Sequence, residues 1–270
     1  MTRDRLPLLV EPDELQAMLD HEDILLVDLS HTYDQGHIPG AVYLDYARVV
    51  NPQPPMTGLM PEPPQLGALL SSLGLGADTH VVAYDDEGGG KAARFLWTLE
   101  AVGHSHYSLL DGGLTAWLSE HHPTSKQATT AIPKPYDLHI NEAVVADKNY
   151  ILDHLNDPAT AIVDCRTPEE YTGEHTLARR GGHIPGAVNI EWTRTLDEQR
   201  HLRLKPAREL RALYEGMGIT PDKEIITYCH SHRRSAHSYF VLKTLRYPRL
   251  RSYPGSWSEW GNDPDTPIEP

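Results

Sequence analysis

The chain has 270 residues, with 24 Lys and Arg against 38 Asp and Glu, a formal net charge of −14. At roughly 100–200 residues per domain this length gives one large domain or two ordinary ones, and a hydrophobic fraction of 39% is enough to build cores. The acidic balance argues against a nucleic-acid binder and against an anionic membrane surface as partner, and two cysteines, Cys165 and Cys229, exclude a disulfide scaffold and a four-cysteine metal site.

Met1 to Val10 shows no apolar leader core, and no run approaches the ~18 apolar residues of a membrane span. With lone thiols, this predicts a soluble protein of a reducing compartment, the cytoplasm. The apolar run Ile24 to Asp28 predicts a strand, followed by the turn His37-Ile38-Pro39-Gly40-Ala41-Val42. A second strand, His80 to Tyr84, opens onto Asp85-Asp86-Glu87-Gly88-Gly89-Gly90-Lys91, and Asp111-Gly112-Gly113 leads to Trp117. Residues 123–137 are polar, proline-containing and without period, which reads as a linker between domains 1–122 and 138–270.

Beyond it, the strand Ala161 to Asp164 ends at Cys165, and Gly173 to Gly182 precedes His183-Ile184-Pro185-Gly186-Ala187-Val188. Helical patterns cover Pro206 to Met217 and Ser235 to Leu245. Between them the strand Glu224 to Tyr228 runs into Cys229-His230-Ser231-His232-Arg233-Arg234. The His-Ile-Pro-Gly-Ala-Val segment thus occurs twice, and the flanking strands and Trp-bearing turns recur in the same order. This predicts two homologous domains. Alternating strands and helices predict an α/β fold, each domain a mainly parallel sheet with helices on both faces. Ligands of such sheets bind outside the carboxyl ends of strands, where both Tyr84 and Tyr228 fall.

Four of the five residues after Cys229 are His or Arg. Guanidiniums, unpaired N–H groups of a tight loop and the positive end of the following helix all favour thiolate over thiol. They also draw an anionic substrate to an otherwise anionic protein. The alternative for Cys229 is a small buried hydrophobe. For Cys165, with no cationic run after it, the buried structural reading is preferred. In the first half Asp85 stands where Cys229 stands in the second, so that half is expected to carry no chemistry. Its glycine run reads as a tight turn and not a phosphate loop, since Ala92 follows Lys91.

These residues resemble the tandem-domain rhodaneses, thiosulfate:cyanide sulfurtransferases. Tyr33-Asp34-Gln35-Gly36-His37-Ile38-Pro39-Gly40-Ala41 is similar to the N-terminal signature of that family and Tyr253 to Trp260 to its C-terminal one. The loop headed by Cys229 resembles a bacterial subgroup rich in His and Arg. The resemblance implies an inactive first domain and a catalytic Cys229 that accepts sulfur from an anionic donor and passes it on as a persulfide. On the same resemblance the donor would be thiosulfate or 3-mercaptopyruvate, and the acceptor cyanide, or a thiol such as thioredoxin or another sulfur-accepting protein.

No metal or cofactor is implied. Backbone N–H groups of residues 230 to 234 are expected to cradle the sulfur. His230, His232 and Arg233 would face the mouth and receive the anion, Ser231 would belong to the same substrate-binding loop, Arg234 would close it, and Ser235 would cap the helix. Thiosulfate-using relatives hold the anion with an Arg at a place occupied here by Glu170, so Arg179 and Arg180 are the expected substitutes. The rivals are a persulfide carrier to a protein and a Cys-dependent phosphatase. The Cys229-x4-Arg234 spacing makes a tighter cradle than a phosphatase needs.

Overall fold

The computed structural model describes residues 6–270. The stretch Met1 to Val10, expected to hold no leader, lies outside the described residues in its first five positions. Two compact units form, one of Met1–Val49, Pro61–Ile140 and Asp197–Leu204, the other of Val50–Met60, Asn141–Leu196 and Lys205–Pro270.

In the first unit five parallel strands pair in the order β1 (Leu9–Val10), β5 (Tyr107–Leu110), β4 (His80–Tyr84), β2 (Ile24–Asp28) and β3 (Val42–Tyr43). In the second, β6 (Thr160–Asp164) lies between β7 (Val188–Asn189) and β8 (Glu224–Tyr228), with β9 (Leu250–Ser252) beyond β8, again all parallel. Parallel sheets are covered on both faces, which is why the central strands read as continuous apolar runs instead of alternating ones. The helices Gly90–Ala101 and Arg233–Thr244 follow β4 and β8 and are buried along most of their length. Among the described residues no helix is long and apolar enough to cross a membrane.

The repeat extends to individual hydrogen bonds. Tyr84 Oη accepts from Ile38 N–H at 3.0 Å, and Tyr228 Oη from Ile184 N–H at 3.1 Å. His37 stacks on Tyr33 with ring centres 3.9 Å apart, and His183 on Tyr171 at 3.6 Å. Trp117 Nε1 donates to Pro123 O, and Trp260 Nε1 to Pro267 O, both at 2.8 Å. Both His-Ile-Pro-Gly segments are therefore structural turns locked by a buried Tyr. Tyr171 Oη donates to Ala187 O at 2.8 Å, so Tyr171→Phe is expected to lower unfolding stability by about 1 kcal/mol. Urea unfolding would show it as an unchanged slope and a lower midpoint.

Two segments have local causes that periodicity does not carry. The 50–60 arm belongs to the second unit, where Thr57 N–H donates to Ser258 Oγ at 3.2 Å. Residues 197–204 belong to the first, where Arg203 bridges Glu11 and Glu120 and Leu204 N–H bonds Asp111 Oδ1. The linker region is itself tied to the first unit through Ser125 and His37, Thr129 and Tyr33 Oη, and Lys134 and Ser71 O.

Candidate active site

Cys229 follows the last residue of β8, at the carboxyl edge of the second sheet, and is 1% exposed. Its own backbone is held from two sides. Cys229 N–H donates to Ser256 Oγ at 3.3 Å, and Cys229 O accepts from Trp257 N–H at 2.9 Å. Burial works to raise the thiol. The Arg234 guanidinium, the Ser235 hydroxyl and the backbone N–H groups of Ser235 and Ser231 outweigh it and hold the thiol below its ordinary value. The Ser235 Oγ to Cys229 Sγ distance is 3.6 Å.

Ser235 corrects an expectation. The helix starts at Arg233, two residues earlier than predicted, because His232 takes the N-cap position with φ 67. Ser235 therefore lies in the first turn, and its hydroxyl faces the thiol instead of capping the helix.

Arg234 does not simply close the loop. Its two terminal nitrogens grip Glu170 Oε2 at 2.5 Å and Oε1 at 2.8 Å. This bidentate pair is the strong form of charge-assisted hydrogen bond. It fixes the guanidinium while leaving it beside Cys229. Glu170 is 4% exposed, and Arg234 holds its carboxyl below the usual range despite burial. A capping box with Thr167 fixes Glu170 in turn. Glu170 was legible only as a missing substrate Arg; its function as the anchor of Arg234 depends on a contact 64 residues away in sequence.

The remaining loop residues divide. His230 is half-buried, and burial lowers its ring below the ordinary value, so it is neutral at physiological pH. Ser231 presents its N–H to the sulfur. Arg233 is half-buried at the first position of the helix. His232, expected at the mouth, turns inward instead. It is fully buried, with Nε2 2.7 Å from Ser252 Oγ, because its left-handed backbone points the side chain into the sheet edge.

Arg180, expected to bind the anion, donates to the carbonyl oxygens of Trp260, Asp263 and Thr266 and so ties down the C-terminal tail. Arg179 is exposed at its start, with its N–H on Asn262 Oδ1. The Arg180 guanidinium is thus engaged with the tail. Trp257 and Trp260 are buried core, and Trp192 is half-buried with its ring edge-on to His237 at 5.1 Å. Among the described residues no group of three or more His, Cys, Asp or Glu is arranged to hold a metal ion.

Further supports gave no sequence signal. Gly58 of the arm lies against the loop: a Cβ there would come within 2.4 Å of Ser231 O and 2.8 Å of Pro254 O. Under the loop, Asp164 and Arg166 form a buried pair at 2.6 Å, with Arg166 4.4 Å over the Trp257 ring.

In the first unit the matching loop is already filled. Asp85 is fully buried, and its carboxylate accepts the N–H groups of Glu87, Gly89, Lys91 and Ala92 at 2.8–3.0 Å. Asp85 therefore fills its own loop, in keeping with a half expected to carry no chemistry. Glu87 and Lys91 stand two and six residues after Asp85, as Ser231 and Ser235 stand after Cys229. The same two positions aim N–H groups at a carboxylate in one copy and at a sulfur in the other.

A doubled α/β unit with a reactive-type thiol at one strand end and a carboxylate at the other defines a tandem protein with a single thiol site. Its two halves, residues 11–120 and 147–263, each match the rhodanese-like domain, and the chain belongs to that family. A thiosulfate sulfurtransferase of Azotobacter vinelandii is 47% identical over 98% of this chain and 97% of its own length. The sulfur carrier protein TtuD of Thermus thermophilus is 38% identical, over 96% and 92%. The structure of SseA from Escherichia coli, described as a 3-mercaptopyruvate sulfotransferase, aligns with a TM-score of 0.84 at 28% identity, covering 93% of this chain and 99% of SseA.

Proposed function

We propose that this protein is a sulfurtransferase that carries sulfane sulfur from thiosulfate on Cys229 and delivers it to a thiol or, in the assay, to cyanide. The observation that carries the reading is the Cys229 sulfur itself, held toward thiolate by Arg234 and Ser235 inside a ring of N–H groups whose counterpart in the first unit holds a carboxylate. In the first step the Cys229 thiolate attacks the outer sulfur of thiosulfate, a sulfur–sulfur bond forms, and sulfite leaves with the old bonding pair. The N–H groups of Ser231 and Ser235 then hold the terminal persulfide sulfur, as an oxyanion hole holds developing charge. In the second step the acceptor attacks that sulfur and the thiolate returns. Neither step needs a cofactor. Free thiols on both sides of the transfer suit a reducing compartment such as the cytoplasm.

Thiosulfate as the donor is supported by the full-length relatives named for it. Measured side by side, kcat/KM with thiosulfate is expected to exceed that with 3-mercaptopyruvate. The reverse order would reassign the donor and leave the persulfide in place. A second reading is favoured by the likeness to a sulfur carrier protein: the acceptor in the cell is a protein. Slow turnover with every small acceptor and a sharp rise with one thiol protein, thioredoxin among those to try, would select it.

A further inference from the structure

Cys165 is a buried thiol that sulfur transfer does not use. We infer that it is a resolving thiol for Cys229: when sulfur is stranded on Cys229, the Cys165 sulfur displaces it as hydrosulfide and closes a Cys165–Cys229 disulfide. This rests on the persulfide reading above and adds a second fate for the same intermediate.

The placement comes from the sheet register. β6 and β8 are neighbours, with Asp164 opposite Tyr228, and the ladder continues through Cys165 N–H to Tyr228 O at 2.9 Å. One position further along both strands stand Cys165 and Cys229. Neighbouring strands run about 4.8 Å apart, and a disulfide spans Cα separations of about 4.4–6.8 Å.

The side chains also share a face. Tyr228 Oη reaches Asp164 Oδ2 at 2.6 Å on one side of the sheet, so the next residue on each strand points to the other side. There the Arg233–Thr244 helix covers both thiols: Ser235 contacts the Cys229 sulfur, and Ser238, about one turn on, stands beside the Cys165 thiol. Both cysteines are free.

The step balances without an external oxidant. The Cys165 sulfur bonds to Cys229 Sγ and the bond from Sγ to the outer sulfur breaks. That sulfur departs with the electron pair and the Cys165 proton, as HS⁻. The two cysteine sulfurs are oxidised to a disulfide, and the sulfane sulfur is reduced to sulfide. Burial raises the Cys165 thiol, which keeps its thiolate scarce and the step slow beside delivery to an acceptor. The disulfide then keeps Cys229 out of turnover until an external thiol reduces it.

The test loads the full chain with thiosulfate under argon, removes the donor and follows intact mass and released sulfide without acceptor. The unmutated protein is expected to gain one sulfur, then lose it and two hydrogens while releasing one equivalent of sulfide. Peptide mapping should find Cys165 linked to Cys229. Cys165→Ala and Cys165→Ser are expected to gain the sulfur and keep it. Equal loss of sulfur in the parent and both variants, or an unlinked Cys165 after sulfide release, would overturn the inference while leaving the persulfide standing. No sulfur gain in any of them would overturn the persulfide reading and this inference with it.

Discussion

Cys229→Ser is expected to remove sulfur transfer, lowering kcat for thiocyanate formation by about 10,000-fold or more, the scale seen when an enzyme loses its nucleophile. The exchange is nearly isosteric, so the loop, the Ser256 contact and the surrounding core remain. What disappears is the one atom that can form a sulfur–sulfur bond. A serine hydroxyl stays protonated where the thiol is held below its ordinary value. Cys165 cannot substitute, since burial drives its thiol well up and outweighs the pull of Arg234 there, the reverse of the balance at Cys229. Activity within tenfold of the parent would remove Cys229 from the chemistry.

Arg234→Met is expected to slow turnover at neutral pH by about 100-fold or more, as for the loss of one preorganised charge-stabilising group. Among the influences on Cys229, burial is the largest and raises the thiol; Arg234 is the largest of those opposing it. Without the guanidinium, burial prevails and the thiol rises. The sign then follows. The reactive thiolate exists above the thiol's pKa, so in the parent iodoacetamide reacts down to a pH below that of an ordinary thiol. In the variant that midpoint moves up.

The same substitution strands Glu170 as a buried carboxylate without its partner, and breaking such a pair costs about 3–5 kcal/mol when the remaining group stays charged. Adding Glu170→Gln removes that charge. The double variant is expected to recover stability in thermal unfolding but neither the rate nor the alkylation midpoint. Recovery of the rate as well would make Arg234 a structural residue only.

The fold was legible because the chain repeats it. Two copies of one turn motif fixed the domain count, and two short apolar runs, each ending one residue before the key position, placed Asp85 and Cys229 at strand ends. The cationic run after Cys229 marked the site. The roles inside the run were not legible, since direction depends on backbone angles. His232 and Arg233 are adjacent and both cationic types, yet a left-handed residue sends His232 into the sheet edge.

Partners distant in sequence were hidden for a different reason. Glu170 on Arg234, Gly58 on Ser231 and Arg166 on Trp257 are pairings that no period or spacing records. Arg180 shows the same limit: a cation ahead of a conspicuous motif looks available until its guanidinium is seen donating to carbonyls of the C-terminal tail. The Asp85 cradle inverts the lesson. In sequence it was only an acid in place of a cysteine; in the structure its carboxylate is turned inward onto four N–H groups, two of them at the positions whose N–H groups face the Cys229 sulfur in the other copy.

Intact-mass spectrometry of the protein after brief thiosulfate treatment tests Cys229 as the sulfur carrier most directly. The predicted result is a gain of one sulfur atom per chain, lost on adding cyanide with one equivalent of thiocyanate formed, and absent from Cys229→Ser. An unchanged mass in the parent, or the same gain in Cys229→Ser, would contradict it.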